Sequence, residues 1–450
     1  MKLPAYPSYR ASRADWLGEV PEHWGVKRLK WSVAGCINGV WGDEPDGVDD
    51  VVCVRVADFD RDRFSVTTDS LTIRSVEPKQ RQSRKLRKGD LLIEKSGGGD
   101  KQLVGCVVYF DHEFEAVCSN FVARMPVDPE LPGRYWSYVH AALYAGRLNY
   151  PAIKQTTGIQ NLDAGEYLNT LAAYPPVDEQ ENIADFLDWK TAQIDALIAK
   201  KQELIAKLKE KRLAVITQAV TKGLDPKTPL RDSGVPWLGK VPAHWAVMEL
   251  RRRWIIQDCK HKTVSFVTDG VPLASIKEVH DFEVNLEDAN QTTYEEYLEL
   301  IEGGREPMLG DIIYSRNASV GDAAIVSTTA RFSMGQDVCL LRSPDAYPRF
   351  VAYLLRSQPL REQAEAVMIG STFRRINVSQ IKSLWVTVPP VDEQREISEA
   401  LDRKTERIDS MIEKAELAVS LLTEYRSALI TAATTGKIDL RGWQAEKEAA

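Results

Sequence analysis

The hexapeptide PPVDEQ occupies residues 175–180 and recurs, unchanged, at 389–394, an offset of 214. The likeness spreads on both sides. WLGEVPEHW at 16–24 returns as WLGKVPAHW at 237–245, with seven of nine positions identical, and KGDLLIEKS at 88–96 is matched by LGDIIYSRN at 309–317. Repeats this far apart are too long for a solenoid, so the chain is a duplication of a whole unit. Its 450 residues exceed what one ordinary core accommodates, which agrees with two domains.

Each copy reads as a globular part of about 150 residues followed by a long helix. The expected boundaries are 1–174 for a first recognition domain, 175–221 for a central helix, 222–388 for a linker and second domain, and 389–450 for a second helix and tail. The segment 222–242, KGLDPKTPLRDSGVPWLGKVP, is rich in Pro, Gly and Asp and ends the first helix. The opening of the chain, YPSYRASRADWLGEVP, is a looser copy of the later part of that linker. The arrangement is therefore cyclic, and the end of the second helix is expected near the N-terminus, with a pseudo-two-fold relating the halves.

Within each globular part, short apolar runs such as DVVCVRVADF, GDLLIEK, DIIYS and DVCLLRS alternate with turn signals and read as strands. RYWSYVHAALYA and PRFVAYLLRSQPLREQAE read as helices between them. The fold class is α+β: two duplicated α+β domains joined by two long antiparallel coiled-coil helices. In the second helix Leu401, Ile408, Ala415, Leu422 and Leu429 recur every seven residues, and Met411, Ala418 and Tyr425 are taken as the complementary line of the seam. Leu187, Ile194, Leu208 and Val215, with Leu197 and Leu204, repeat the pattern in the first helix, interrupted by Lys201 and Lys211. About forty residues at 1.5 Å each give roughly 60 Å, longer than such a domain is wide, so the helices are expected to pair with each other as a spacer. Asp178 and Asp392, just after Pro-Pro, are positioned to cap the first turns, with Glu181 completing a capping box.

Composition narrows the class of function. Hydrophobic residues at 44% with 27% charged residues describe a soluble globular protein. No apolar stretch approaches the roughly 18 residues of a membrane span, and MKLPAYPSYRASRADW lacks the apolar core of a signal peptide, so the cytoplasm is expected. The six cysteines, at 36, 53, 106, 118, 259 and 339, form no CxxC pair and show no histidine at ligand spacing; no metal site is expected.

Catalytic motifs are missing. There is no GxxxxGK[ST] and no GxGxxG after a strand. YPPV and VPPV resemble the Pro-Pro motif of DNA aminomethyltransferases only superficially, without its leading Asp or Asn and its final aromatic. Asp90, Glu94 and Lys95 are the residue types of a metal-dependent nuclease, but the second copy replaces Glu94 and Lys95, carrying Tyr314 and Ser315 in that stretch. The surviving Asp90 and Asp311 fit a Gly-Asp turn. His23 and His244 recur in register, inside Trp- and Pro-rich contexts with no acidic partner, and read as packing residues.

Candidate nucleic-acid contacts are easier to find, although the net charge is −7. KQRQSRKLRKG (79–89) holds six basic residues and no acid, so Arg84 and Lys85 can neutralise phosphates or lie on a solvated loop. In EKSGGGDKQ, glycines allow close approach, and Lys95, Ser96, Gly97, Gly98, Lys101 and Gln102 can reach phosphates or base edges. Lys154, Gln155 and Thr157 stand in PAIKQTTGIQN (151–161). In the second copy the matching loops offer Arg316, Asn317 and Ser319, then Thr372, Phe373, Arg374 and Arg375. The scaffold repeats while these loops do not.

The motifs WLGEVPEHW and WLGKVPAHW, LLIEKSGGG, IKQTTGIQNL and the doubled PPVDEQ together resemble the specificity subunit of type I restriction–modification systems over nearly the whole chain. That resemblance implies two target-recognition domains, each reading one half of a split double-stranded DNA sequence, with helices that set the gap. It implies half-sites about one helical turn apart, ~34 Å, read by loops 94–102 with 151–161 and 314–322 with 369–377. It also implies two methylation subunits and, in the full complex, restriction subunits as partners. S-adenosylmethionine, ATP and Mg would then sit on those partners and no cofactor on this chain. The alternatives are a stand-alone nuclease or methyltransferase, or a structural coiled-coil scaffold that binds proteins.

Overall fold

The computed structural model describes residues 4–98, 102–156, 158–368 and 375–444. It divides into a first unit, Met1–Lys201 with Leu417–Ala450, and a second, Gln202–Glu416. No helix among the described residues is long and apolar enough to cross a membrane.

In the first unit, strand β1 (Asp50–Val54) pairs in parallel with β3 (Ala116–Cys118). Strand β2 (Leu91–Glu94) lies inside a six-stranded sheet, antiparallel to β4 (Val122–Met125). All four residues of β2 are buried. The run Leu-Leu-Ile has no polar alternation because neither face of the strand meets water. Helix α1 (Gly133–Ala145) covers this sheet and carries its Trp136, Val139 and Leu143 into the core.

The second unit repeats the frame. Strand β5 (Val271–Ala274) runs parallel to β7 (Ser333–Met334), and β6 (Ile312–Ser315) is antiparallel to β8 (Val338–Arg342). Helix α3 (Pro348–Leu355) takes the place of α1. The Gly-Asp turns before β2 and β6 are locked alike. Asp90 accepts from the amide of Arg87 (2.6 Å) and from Arg124 Nε (2.6 Å). Asp311 accepts from the amide of Met308 (2.7 Å) and from Arg342 (2.6 Å). The turn reading holds, and Glu94 is not part of it.

The two long helices are α2 (Val177–Lys222) and α4 (Val391–Thr434). In each unit the beginning of one helix packs antiparallel on the end of the other. Ile183, Leu187 and Ile194 share a core with Leu429, Ile430 and Ala433 in the first unit. Ile216, Ala219 and Val220 share one with Ile397 and Leu401 in the second. The line Leu401, Ile408, Ala415 and Leu429 is buried as the heptads predict.

Its expected complement is not. Met411 and Tyr425 are 45% and 48% exposed, whereas Thr405 and Arg426 are buried. The second line therefore falls four residues after the first rather than three, and Leu197 and Leu204 face outward for the same reason. Both spacings lie on one helical face, so the pattern of leucines alone leaves the choice open.

Two ion pairs join the helices at equivalent positions: Asp195 with Arg426 (2.9 Å) in the first unit and Arg212 with Asp409 (2.8 Å) in the second. Two clamps seat the domains on them. Arg134 and Tyr138 hold Asp188, and Arg349 and Tyr353 hold Asp402.

Helix α2 begins at Val177, so Asp178 lies inside the first turn rather than capping it, where its charge still suits the helix dipole. The Asp178 cap and the Asp178–Glu181 box do not form. Instead the Gln180 side chain folds back to donate to the carbonyl of Pro175 (2.9 Å), and Gln394 does the same to Pro389 (2.8 Å). The cyclic arrangement is borne out within the first unit. After α4 the chain returns to the N-terminal segment: the amide of Asp439 donates to the carbonyl of Pro4 (2.8 Å), and Lys437 Nζ donates to that of Glu19 (2.7 Å).

Candidate nucleic-acid interface

The motif residues that recur in register turn out to be one device. In the first unit Glu179 accepts from Trp24 Nε1 (3.0 Å) and Tyr6 Oη (3.0 Å) and lies 2.6 Å from His23 Nε2. In the second, Glu393 accepts from Trp245 Nε1 (3.0 Å) and meets His244 Nε2 at 2.9 Å. The histidines thus do have acidic partners, supplied from about 150 residues downstream. Sequence neighbours could not reveal them. This clamp ties the hairpin that opens each unit to the first turn of its helix.

The loops expected to act together are brought together. Ser96 and Gly97 pair with Asn161 and Gln160 of the hairpin Ile153–Thr156/Ile159–Leu162. In the second unit Asn317 bridges to Arg375, and the amide of Ile376 donates to the carbonyl of Arg316 (2.9 Å). The side chains are placed unevenly. Gln102, Lys154 and Gln155 are exposed, with Lys154 Nζ on Asp163 (2.8 Å). Lys95 Nζ donates to Asn38 Oδ1 (2.6 Å), and Ser96 Oγ to Asn161 Oδ1 (2.6 Å). Gly97 and Gly98 have φ of 136° and 65°, which explains why glycine stands there. Asn317 Oδ1 accepts from the amide of Ala318 (2.9 Å), Ser319 Oγ meets Ser315 Oγ (3.2 Å), and the exposed Arg375 pairs with Asp337 (3.3 Å). Lys101, Thr157, Thr372, Phe373 and Arg374 lie outside the described residues.

Two expectations change. Arg316 is 3% exposed, ion-paired with Asp258, and donates through Nε to the carbonyl of Ile376 (3.2 Å). Burying an unpaired guanidinium would be costly, so the pairing explains its position, and it acts as an internal tie rather than a base reader. Three of the six basic residues of the run 79–89, Arg81, Lys85 and Lys88, are paired with acids from elsewhere in the fold. Lys85 sits near Glu115 (3.6 Å), Lys88 bridges Asp111 and Glu113, and Arg84 Nε donates to the carbonyl of Asn38 (3.1 Å).

Asp258, Cys259 and His261 place three possible metal ligands within 4.8 Å of one another, a Cys-x-His spacing not anticipated from the cysteine pattern. His261 turns Nδ1 to Cys259 Sγ (3.7 Å) and Nε2 to Asp258 (3.3 Å). One imidazole cannot bind a single ion through opposite nitrogens, burial pushes the Cys259 thiol up to about 11, and Asp258 already holds Arg316. The trio belongs to the ion-pair network.

Between the ends of β1 and β3 and the glycine strand lies an open cleft of about 1000 Å³. Arg61 Nη2 donates to Glu94 Oε2 (2.8 Å), and Arg61 Nη1 to Tyr144 Oη (3.1 Å). Burial raises the Glu94 pKa above the ordinary carboxylate value, opposed by the Arg61 charge. Trp41, Phe121 and Ile159 supply apolar wall. A smaller cleft, about 360 Å³, occupies the equivalent position beyond β5 and β7, with Phe266, Leu273, Ile276 and Met334 as apolar wall and Lys262, Lys277 and Asp337 as its charged residues. Neither cleft was anticipated, since Trp41, Arg61, Glu94 and Phe121 are scattered through the sequence.

Residues 255–418 match the family model described as the type I restriction modification DNA specificity domain. Over 448 residues, 95% of this chain and 92% of the relative, the sequence is 24% identical to the type I restriction enzyme EcoKI specificity subunit of Escherichia coli strain K12. The EcoBI specificity subunit of Escherichia coli is 22% identical over 348 residues, 74% of this chain and 71% of that one. A chain solved in work on complex assembly and conformational transition of the type I R-M system has the same fold. Its TM-score is 0.68 at 15% identity, covering 94% of this chain and 99% of that chain.

Proposed function

We propose that this chain, which belongs to the type I restriction–modification specificity subunits, is the DNA-recognition subunit of such a system. It reads sequence and leaves the chemistry to its partners. The observation that carries this reading is the contrast within each unit. The clamps, turn locks and helix contacts are duplicated, while the loops after β2 and β6 are not. A protein that recognises two different half-sites needs one frame and two reading surfaces.

In this reading Lys95, Ser96, Gly97, Gly98, Lys101, Gln102, Lys154, Gln155 and Thr157 serve one half of a split target. Asn317, Ser319, Thr372, Phe373, Arg374 and Arg375 serve the other. The outward faces of the helices, with exposed Leu197, Leu417, Leu421 and Tyr425 in the first unit and Leu204 and Met411 in the second, receive methylation subunits, two per chain. S-adenosylmethionine, ATP and Mg then belong to methylation and restriction subunits.

The test is domain exchange. Replacing residues 237–388 by the equivalent region of a relative and mapping methylated positions should alter one half of the target only. Alteration of both halves would defeat the modular reading. DNA affinity should also fall with rising salt, as phosphate contacts require.

A further inference from the structure

One triad of side chains is built twice. Lys95 follows β2 and Arg316 follows β6; these two, like Arg84 and Arg305, stand 221 residues apart. The amide of Leu162 donates to the carbonyl of Lys95 (2.8 Å), as that of Ile376 does to the carbonyl of Arg316 (2.9 Å). Asn38 pairs with Ala123, opposite Ile93, and Asp258 pairs with Cys339, opposite Tyr314, so Asn38 and Asp258 hold equivalent places in their sheets. Two cations converge on each. Arg84 Nε donates to the backbone carbonyl of Asn38 (3.1 Å) and Lys95 Nζ to its Oδ1 (2.6 Å). Arg305 Nε donates to the carbonyl of Asp258 (2.9 Å), and Arg316 pairs with its carboxylate.

The acceptor is what differs. Asp258 is an anion, and Arg316 beside it is 3% exposed, where a guanidinium needs a countercharge. Asn38 is a neutral amide on the surface. It fixes the Lys95 ammonium through a charge-assisted hydrogen bond and cancels none of its charge. Among the described residues no ion pair engages Arg84 or Lys95, although Arg81, Lys85 and Lys88 beside Arg84 have acids. Solvation explains a partly exposed lysine without an acid. It does not explain two cations gathered on one neutral residue, since like charges repel.

We propose that Arg84 and Lys95 bind a backbone phosphate of the first half-site, and that Asn38 is the positioning residue that holds both cations with their charge intact. A phosphate oxygen accepts from either donor and supplies the anion that the triad lacks. The second unit makes no such contact, because Asp258 already neutralises Arg316. Lys95 thus fixes where the first unit sits on the duplex and leaves sequence to its neighbours. The inference rests on the proposed function, since it assigns one chemical role within the surface given there to DNA.

The test is a salt titration of the full chain, in complex with its methylation partner, on the mapped target. Asn38→Asp puts a carboxylate where the second unit has one, and it should reduce the slope of log affinity against log salt by about 0.9, the share of one phosphate. Lys95→Gln should do the same, whereas Asn38→Ser, which stays neutral, should keep the slope. Asn38 is exposed, so replacing it leaves no buried group unpaired and the variants fold. The mapped methylated positions should not move in any of them, because a phosphate carries no sequence. An unchanged slope for Asn38→Asp or for Lys95→Gln overturns the inference, and so does a changed target, which would make Lys95 a base reader. An equal drop in Asn38→Ser would show the effect to be structural rather than electrostatic and overturns it as well. If the complex binds no DNA, the proposed function falls and this inference with it; binding with unchanged slopes removes the inference alone.

Discussion

The first unit closes its opening hairpin with three donors on a nearly buried Glu179, whereas the second uses two donors on a Glu393 whose side chain is 27% exposed. The first unit sets the hairpin Ile153–Thr156/Ile159–Leu162 against Ser96 and Gly97, whereas the second bridges Asn317 to Arg375. Both clefts are mainly apolar, but the first is the larger and includes the buried Glu94, whereas the second includes Lys262, Lys277 and Asp337. What stays constant between the units is the set of ties that seat each domain on the helices. What varies is the loops after β2 and β6 and the clefts beside them. The two copies thus share their mechanical ties and differ in their loops.

The comparison can be broken most severely at the clamp. Glu179→Ala orphans Tyr6, His23 and Trp24 and should cost the first unit about 3 kcal/mol, against about 1–2 for Glu393→Ala in the second. Hydrogen exchange resolved by unit measures both, and equal losses would mean that burial does not set the strength of the device. Next come the equivalent ion pairs. Arg426, 9% exposed in its side chain, faces Asp195, whereas Arg212 is 27% exposed. Arg426→Ala should cost about 2 kcal/mol and Arg212→Ala under about 1, read from chemical denaturation.

A third difference is titratable. His140 is buried in α1 where α3 has Leu355, and burial lowers its pKa to about 3. The folded first unit keeps this imidazole neutral, while the unfolded chain binds a proton below about 6.5. Its contribution is thus complete above pH 6.5 and is lost as pH falls toward 3, about 1.4 kcal/mol for the first unit of pH. His140→Leu should flatten that slope in the first unit alone. The smallest effect expected is Lys85→Ala, under about 0.5 kcal/mol in stability, with little change in the salt dependence of DNA binding because Glu115 already neutralises it.

The duplication, the α+β class and the pairing of the loops were legible in the sequence because each is written twice or in contiguous stretches. The clamp was half legible: the histidines and tryptophans recur visibly, but their carboxylate arrives from a distant helix. Arg316 looked like a base reader because its loop position is right, and only the fold shows Asp258 underneath it. The second seam line was misplaced by one residue because spacings of three and four share a helical face. The cleft could not be read at all, since β1, β2 and β3 gather its lining from separate segments.

One further consequence lies in the helix charges. Helix α2 carries both Asp195 and Arg212, and α4 carries Asp409 and Arg426 with the same separation and order. Laid antiparallel against a duplicate of itself, either helix would set its acid against the duplicate's base at both crossings. Each repeat is in this sense a self-complementary half. The linker at 222–242 makes permanent, within one polypeptide, an association for which a single repeat already holds both sides.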